Sequence, residues 1–168
     1  MAVIFCSCRH AGDQKPGAEN YHDRQVAVLN HLRNEVNLTY GYRNFSPCIN
    51  QGPCGRFAKE FREQWNARFK EKVTIAFVMS ADGTDCFHVL VKLPDGNYFD
   101  GGNGVTTGSN VLQQYPAGTR MDVMVEYDLK RLDEMSHGLN RSYEFCPNYS
   151  DEMTAKLIRN HLAMLPKR

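Results

Sequence analysis

The sequence predicts a single α+β domain, in which helices come first and a mainly antiparallel β-sheet follows. Two segments with apolar residues at helical spacing, about 19–36 and 54–70, occupy the first half of the chain. An apolar, β-branched run at 73–79 follows, and two further β-type segments are joined by an Asp-Gly turn. The chain has 168 residues with no visible linker or repeat, so we expect one domain over 1–168.

The first helix is predicted from about 19 to 36 because apolar residues recur along one face. These residues are Leu29, Leu32 and Val36. A short strand is predicted before it at Met1–Phe5, and the glycines and prolines of 39–53 indicate irregular structure after it.

The second helix is the clearest prediction because one apolar and mostly aromatic stripe runs along it. The stripe consists of Phe57, Ala58, Phe61, Trp65 and Phe69. Gly52 and Pro53 disfavour helix before this segment, so the helix is expected to begin at Cys54 and to end near Lys70.

The sheet is predicted from four segments. The run at 73–79 is expected to be a central strand, and 86–93 and 98–100 to form the hairpin that follows it. Alternation of apolar and polar residues predicts a half-exposed strand at 121–127. The glycines of 101–104 indicate a flexible segment.

The C-terminal part should contain a loop with one helical turn at 106–120 and a final helix capped by Ser150. The buried side of that helix is expected to be Leu157, Ile158, Leu162 and Leu165.

Composition excludes several classes of function. Hydrophobic residues make up 42%, charged residues 23%, and the formal net charge is +1, which predicts neither a nucleic-acid nor a membrane partner. The apolar start reaches Arg9 too soon for a signal peptide, so we expect a soluble cytoplasmic protein. In that compartment the six cysteines are expected to be free thiols.

Cys54, His88 and Asp100 are the candidate catalytic residues. A thiol at a helix N-terminus is favoured as the reactive thiolate, and its own N–H can stabilise an oxyanion. A histidine can act as the base for the thiol, and it needs an acceptor on its other ring nitrogen. The hairpin after His88 brings both Asp100 and Asn103 back towards it, so Asn103 is the alternative third residue. Cys86 is expected to share a strand face with His88 as a second thiol.

Gln51 and Asn50 precede the cysteine and are equal side-chain candidates for binding the oxyanion. A zinc site is a weaker alternative. Its ligands would be Cys6, Cys8 and His10 with Cys48 or Cys146. The first three residues alternate, without the usual two to four residues between ligands, so we predict no metal and no cofactor.

Two segments resemble the papain-like and transglutaminase-like superfamily of cysteine hydrolases, and their layout is especially similar to NlpC/P60 cell-wall peptidases. They are 52–58 (GPCGRFA), which resembles the nucleophile motif, and 88–100 (HVLVKLPDGNYFD), which resembles the histidine hairpin. The resemblance covers about 50–105 and implies a helix carrying the cysteine, packed on an antiparallel sheet carrying the histidine and the third residue. Residues 50–55 also match the papain segment at its earlier, disulfide-forming cysteine; that register puts Phe57 at the nucleophile position and makes the site inactive.

The first functional hypothesis is a cysteine peptidase or amidase that cleaves a peptide or isopeptide bond in a peptide or protein substrate. A transferase, transglutaminase or deamidase that uses the same triad is a close variant. The second hypothesis is a non-catalytic protein on the same fold that binds or inhibits a host or other partner protein.

Overall fold

The computed structural model of this protein describes residues 21–139 and 144–167. The strand predicted at Met1–Phe5 and the zinc candidates Cys6, Cys8 and His10 lie outside these ranges. The helices and strands are α1 Tyr21–Tyr40, β1 Tyr42–Arg43, β2 Ser46–Pro47, a 3-10 turn Cys48–Asn50, α2 Cys54–Arg68, β3 Thr74–Met79, β4 Cys86–Lys92, β5 Tyr98–Asp100, β6 Gly104–Thr106, α3 Gly108–Leu112, β7 Arg120–Val123, α4 Leu129–Met135 and α5 Asp151–Ala163.

The main sheet has five strands in the order β6-β5-β4-β3-β7, and every neighbouring pair is antiparallel. The predicted α+β class with a mainly antiparallel sheet is confirmed. The central strand is β4, which pairs with β3 on one side and β5 on the other. The strands β1 and β2 form a small separate hairpin.

A β-bulge interrupts the pairing of β3 with β4 close to His88. His88 pairs with Val78, whereas the next residue of β3, Met79, pairs with Cys86. The bulge interrupts the strict alternation on which the prediction of a shared face was based, although Cys86 and His88 are both buried. Bulges re-aim side chains near functional sites.

The helices α1, α2 and α5 pack together, and α2 lies directly on the sheet. The predicted aromatic stripe of α2 is buried, and Phe61 packs against Trp65 on one side and Phe99 of β5 on the other. The predicted apolar side of α5 is buried as well. Because its stripe is fixed in the core, α2 is a rigid support for the residue at its start.

Several short elements were not predicted: β1, β2 and the 3-10 turn in the segment predicted to be irregular, and α4 and β6 further along the chain. Helix α4 is too short for a periodic signal, although Asp128 caps it by accepting hydrogen bonds from the N–H groups of Lys130 and Arg131. Strand β6 falls within and just after the predicted flexible segment and pairs with β5. The predicted strand at 121–127 is shorter than expected and ends at Val123.

None of the helices in the described ranges is both long enough and apolar enough to cross a membrane.

Candidate active site

Cys54 is the first residue of α2, as predicted, and its side chain is partly buried. The N–H groups of the first helical turn have no partner within the helix, so this end carries partial positive charge. Gly55 allows another segment to approach the same turn: a Cβ at Gly55 would lie 2.1 Å from Oγ of Ser136. The residue after the cysteine is therefore restricted to glycine by packing against the end of α4.

His88 joins the thiol to the carboxylate. Its side chain is 3% exposed, it lies close enough to the Cys54 thiol for each group to shift the pKa of the other, and its Nε2 lies 3.3 Å from Oδ2 of Asp100. The structure thus brings the three predicted catalytic residues into one chain of contacts. Asn103, the alternative third residue, forms its hydrogen bonds with Asp100, so Asp100 is the residue that contacts the imidazole.

Asp100 is held by a tight turn. Its Oδ1 accepts hydrogen bonds from the backbone N–H groups of Gly102, at 2.8 Å, and of Asn103, at 2.6 Å. Side-chain amides of Asn50 and Asn103 donate to the same carboxylate. A Cβ at Gly102 would lie 2.5 Å from Asn50, so this glycine permits close packing. The predicted flexible segment therefore packs tightly around the carboxylate.

The electrostatics favour an ion pair of thiolate and imidazolium. Burial by itself raises the pKa of the Cys54 thiol, but the hydrogen bond and charge of His88 hold that pKa below its ordinary value. Burial by itself lowers the pKa of His88, but hydrogen bonds with Asp100 and Cys54 and their charges raise it to about 10. Burial opposes ionisation of Asp100 too, yet the bonds from His88, Asn103 and Asn50 keep its pKa below the usual range.

The two side-chain oxyanion candidates are directed to other groups. The Nδ2 of Asn50 donates to Asp100 at 3.0 Å. The Nε2 of Gln51 donates to the carbonyl of Ser46, at 3.1 Å, and to that of Arg43, both in the β1–β2 hairpin. Both residues line the cavity beside the thiol, but their described hydrogen bonds connect neighbouring segments to the site.

An open cavity of about 570 Å³ lies beside the thiol. Its walls include Phe87, Met135, Ser136 and Phe145, none of which sequence reasoning identified. Phe87 and Phe145 are exposed in the structure. Their aromatic character is the one sequence property that could have drawn attention to them. The cavity leaves space beside Cys54 and has a partly apolar surface.

Cys86 lines the same cavity but differs from Cys54 in its environment. Burial and the negative charge of Cys54 raise the pKa of the Cys86 thiol to about 12, so it stays protonated at neutral pH. Its Sγ contacts the carbonyl of His88 at 3.4 Å. The cysteines in the described ranges, Cys48, Cys54, Cys86 and Cys146, are free thiols as predicted.

The chain matches no family model, no curated protein and no solved structure. The interpretation of this site therefore depends on its geometry and on the sequence motifs.

Proposed function

We propose that this protein is a cysteine hydrolase, a peptidase or amidase that cleaves a peptide or isopeptide bond through an acyl-enzyme on Cys54. One observation carries the proposal: a thiol at the start of a buried helix contacts a histidine that is itself held by a buried carboxylate. A purely structural cysteine needs neither partner, whereas a nucleophile needs both.

In the proposed reaction the Cys54 thiolate attacks the carbonyl carbon, and a C–S bond forms as the carbonyl π electrons move to the oxygen. The N–H groups at the start of α2, which have no partners within the helix, would stabilise that oxyanion. The intermediate collapses with loss of the amine, which takes its proton from the His88 imidazolium. A thioester on Cys54 and a neutral imidazole remain.

Water then resolves the thioester. His88 takes a proton from the water as its oxygen attacks the acyl carbon, and the C–S bond breaks to release a carboxylic acid and the thiolate. Asp100 orients the imidazole and stabilises its charged form in both halves of the cycle. An amine in place of water would give a transamidation product, so hydrolase and transferase differ only in this second step.

The order of elements supports the papain-like and NlpC/P60-like interpretation. The cysteine begins a helix, the histidine lies on the central strand, and the aspartate ends the strand of the following hairpin. This is the arrangement that the resemblance of 52–58 and 88–100 implies.

A thiol-directed acyl probe, such as a peptide vinyl sulfone or an acyl thioester, tests the proposal by intact mass at neutral pH. We expect one adduct, on Cys54, that Cys54→Ala abolishes and heat denaturation prevents. Cys86→Ser is the matched control because Cys86 lines the same cavity and is expected to retain labelling. A folded wild-type protein that forms no adduct with any such probe would favour the non-catalytic binding protein.

A further inference from the structure

A second cluster of functional side chains lies between α1 and α5. His31 and Glu35 are four residues apart on α1 and so share a helix face, and His161 of α5 lies against them. The Nδ1 of His31 lies 2.9 Å from Nε2 of His161. Oxygens of Glu35 lie 4.0 Å from the first nitrogen and 3.9 Å from the second. None of these residues belongs to the catalytic site.

His161 is held as a metal-binding histidine is usually held. Its side chain is 3% exposed, and its Nδ1 lies 2.9 Å from the carbonyl of Leu157. Because a carbonyl only accepts hydrogen bonds, Nδ1 carries the proton and the Nε2 of the neutral ring presents its lone pair to His31 and Glu35. A backbone carbonyl on the other nitrogen fixes the orientation of most histidine ligands.

We infer that His31, Glu35 and His161 bind a divalent transition-metal ion, with zinc as the best match to two imidazoles and one carboxylate. Zinc–nitrogen bonds of about 2.0–2.1 Å at tetrahedral angles separate two ligand atoms by about 3.3 Å. The two nitrogens must therefore move apart by about 0.4 Å, and one Glu35 oxygen must approach them by about 0.7 Å or more, since the three ligand atoms lie within 4.8 Å of one another. His31 is exposed and Glu35 is half-buried, so both side chains can make these movements.

Binding proceeds with a change of tautomer at His31. In the absence of metal, the short contact between the rings requires His31 Nδ1 to donate to the lone pair of His161. When the ion binds, the neutral His31 ring gives its Nδ1 proton to solvent and takes one from solvent on Nε2, so that both nitrogens ligate the metal and no net proton is released. Three protein ligands leave the fourth position of a tetrahedral zinc to water, on the exposed side of the cluster.

The site would act as a clamp, because its ligands come from the first described helix and from the last. A ligand that binds only the folded chain raises the thermal midpoint in proportion to the logarithm of its concentration. This inference does not rest on the proposed enzymatic function, since the clamp and the Cys54 site share no residue.

Titration of the metal-free full chain with Co²⁺ and Zn²⁺ tests the inference. We expect one equivalent of Co²⁺ to give the visible bands of nitrogen and oxygen ligation, without the near-ultraviolet thiolate charge-transfer band. His31→Ala should weaken Zn²⁺ binding by about 10-fold or more, by analogy with losses of that size for supporting residues alone. Zinc should raise the thermal midpoint of the wild type but not of this variant.

His22→Ala is the matched control, since His22 is another histidine of α1 whose described partner is Asp95. It should bind zinc as the wild type does, and Glu35→Gln should weaken binding as His31→Ala does. Circular dichroism should show that all three variants are folded. Equal zinc affinity in wild type and His31→Ala, a strong thiolate band, or an equal loss in His22→Ala would overturn the site.

Discussion

The substitution Asp100→Asn tests the electrostatic basis of the site. It keeps the size of the side chain but removes the negative charge that lies 3.3 Å from Nε2 of His88, where both side chains are at most 5% exposed. An asparagine also supplies one acceptor oxygen in place of two. It can accept from the N–H groups of Gly102 and Asn103, but its NH₂ group then faces the imidazole.

The size of the effect follows from the burial of this pair. An opposite charge at such a distance is worth roughly 1–4 kcal/mol of preference for the charged form of its neighbour. Loss of that charge should therefore shift the equilibrium from thiolate–imidazolium towards the neutral pair by roughly 10- to 1000-fold. Turnover should fall by about 100-fold or more, because the imidazole also loses the group that aligns it.

The assay is the rate of Cys54 alkylation by iodoacetamide as a function of pH. In the wild type, the alkylation rate should reach its plateau at a lower pH than that of an ordinary thiol, because the pKa of Cys54 is lowered. The raised pKa of His88, about 10, should maintain the imidazolium almost to that pH. A lower His88 pKa disfavours the Cys54 thiolate. In Asp100→Asn, the plateau of the alkylation rate should therefore begin at a higher pH, and the His88 imidazolium should lose its proton at a lower pH.

Asn103→Ala is the control for this experiment, because Asn103 donates to Asp100 without a described contact to the imidazole. It should change the alkylation profile much less, and circular dichroism should show both variants folded. An unchanged profile for Asp100→Asn, or a larger effect of Asn103→Ala, would refute the assignment of Asp100 as the group that stabilises the imidazolium.

Three further outcomes are expected. Limiting iodoacetamide at pH 6 should label Cys54 before Cys146, whose pKa burial raises to about 11; equal labelling in peptide maps would contradict this. Gly55→Ala should lower the free energy of unfolding by about 1–3 kcal/mol through its clash with Ser136; an unchanged denaturation midpoint would contradict it. Trp65→Ala should cost about 3–5 kcal/mol because the side chain is 1% exposed, and a loss below about 1 kcal/mol would show that its packing matters little.

The sequence predicted best those elements whose burial produces a periodic pattern. The aromatic stripe located α2 to within two residues at its end, and the Asp-Gly turn located the β4–β5 hairpin. The short elements β6 and α4 were missed for a physical reason. The three residues of β6 follow glycines and are held by pairing with β5, and α4 buries Leu132 alone among its residues. Neither the pairing of β6 with β5 nor the burial of a single residue of α4 produces a periodic pattern in the sequence.

The candidate site likewise combines features that local sequence patterns predicted with features that only the tertiary structure brings together. The meeting of Cys54, His88 and Asp100 followed from a helix start and one hairpin, both of which are local features. The hydrogen bond from Asn50 to Asp100 did not follow from such local features. An amide can donate to any nearby acceptor, and only the tertiary structure brings Asn50 to Asp100. The cavity walls at 135–137 and 144–145 come from segments far along the chain, so no spacing rule could place them beside the thiol.

The three candidate catalytic side chains influence one another's charges. Burial is the largest single influence on the pKa of Cys54, of His88 and of Asp100, and in each it disfavours the charged form. The interactions among the three side chains, the backbone N–H groups of Val89 and Gly55 near the thiol, and the donors around Asp100 reverse that preference. Removing one partner of a buried ion pair leaves an uncompensated charge, at a cost of about 3–5 kcal/mol unless the remaining group neutralises. The turn that binds Asp100 therefore acts on the thiol through His88, because the carboxylate that it holds raises the pKa of His88 and the charge of His88 lowers the pKa of Cys54.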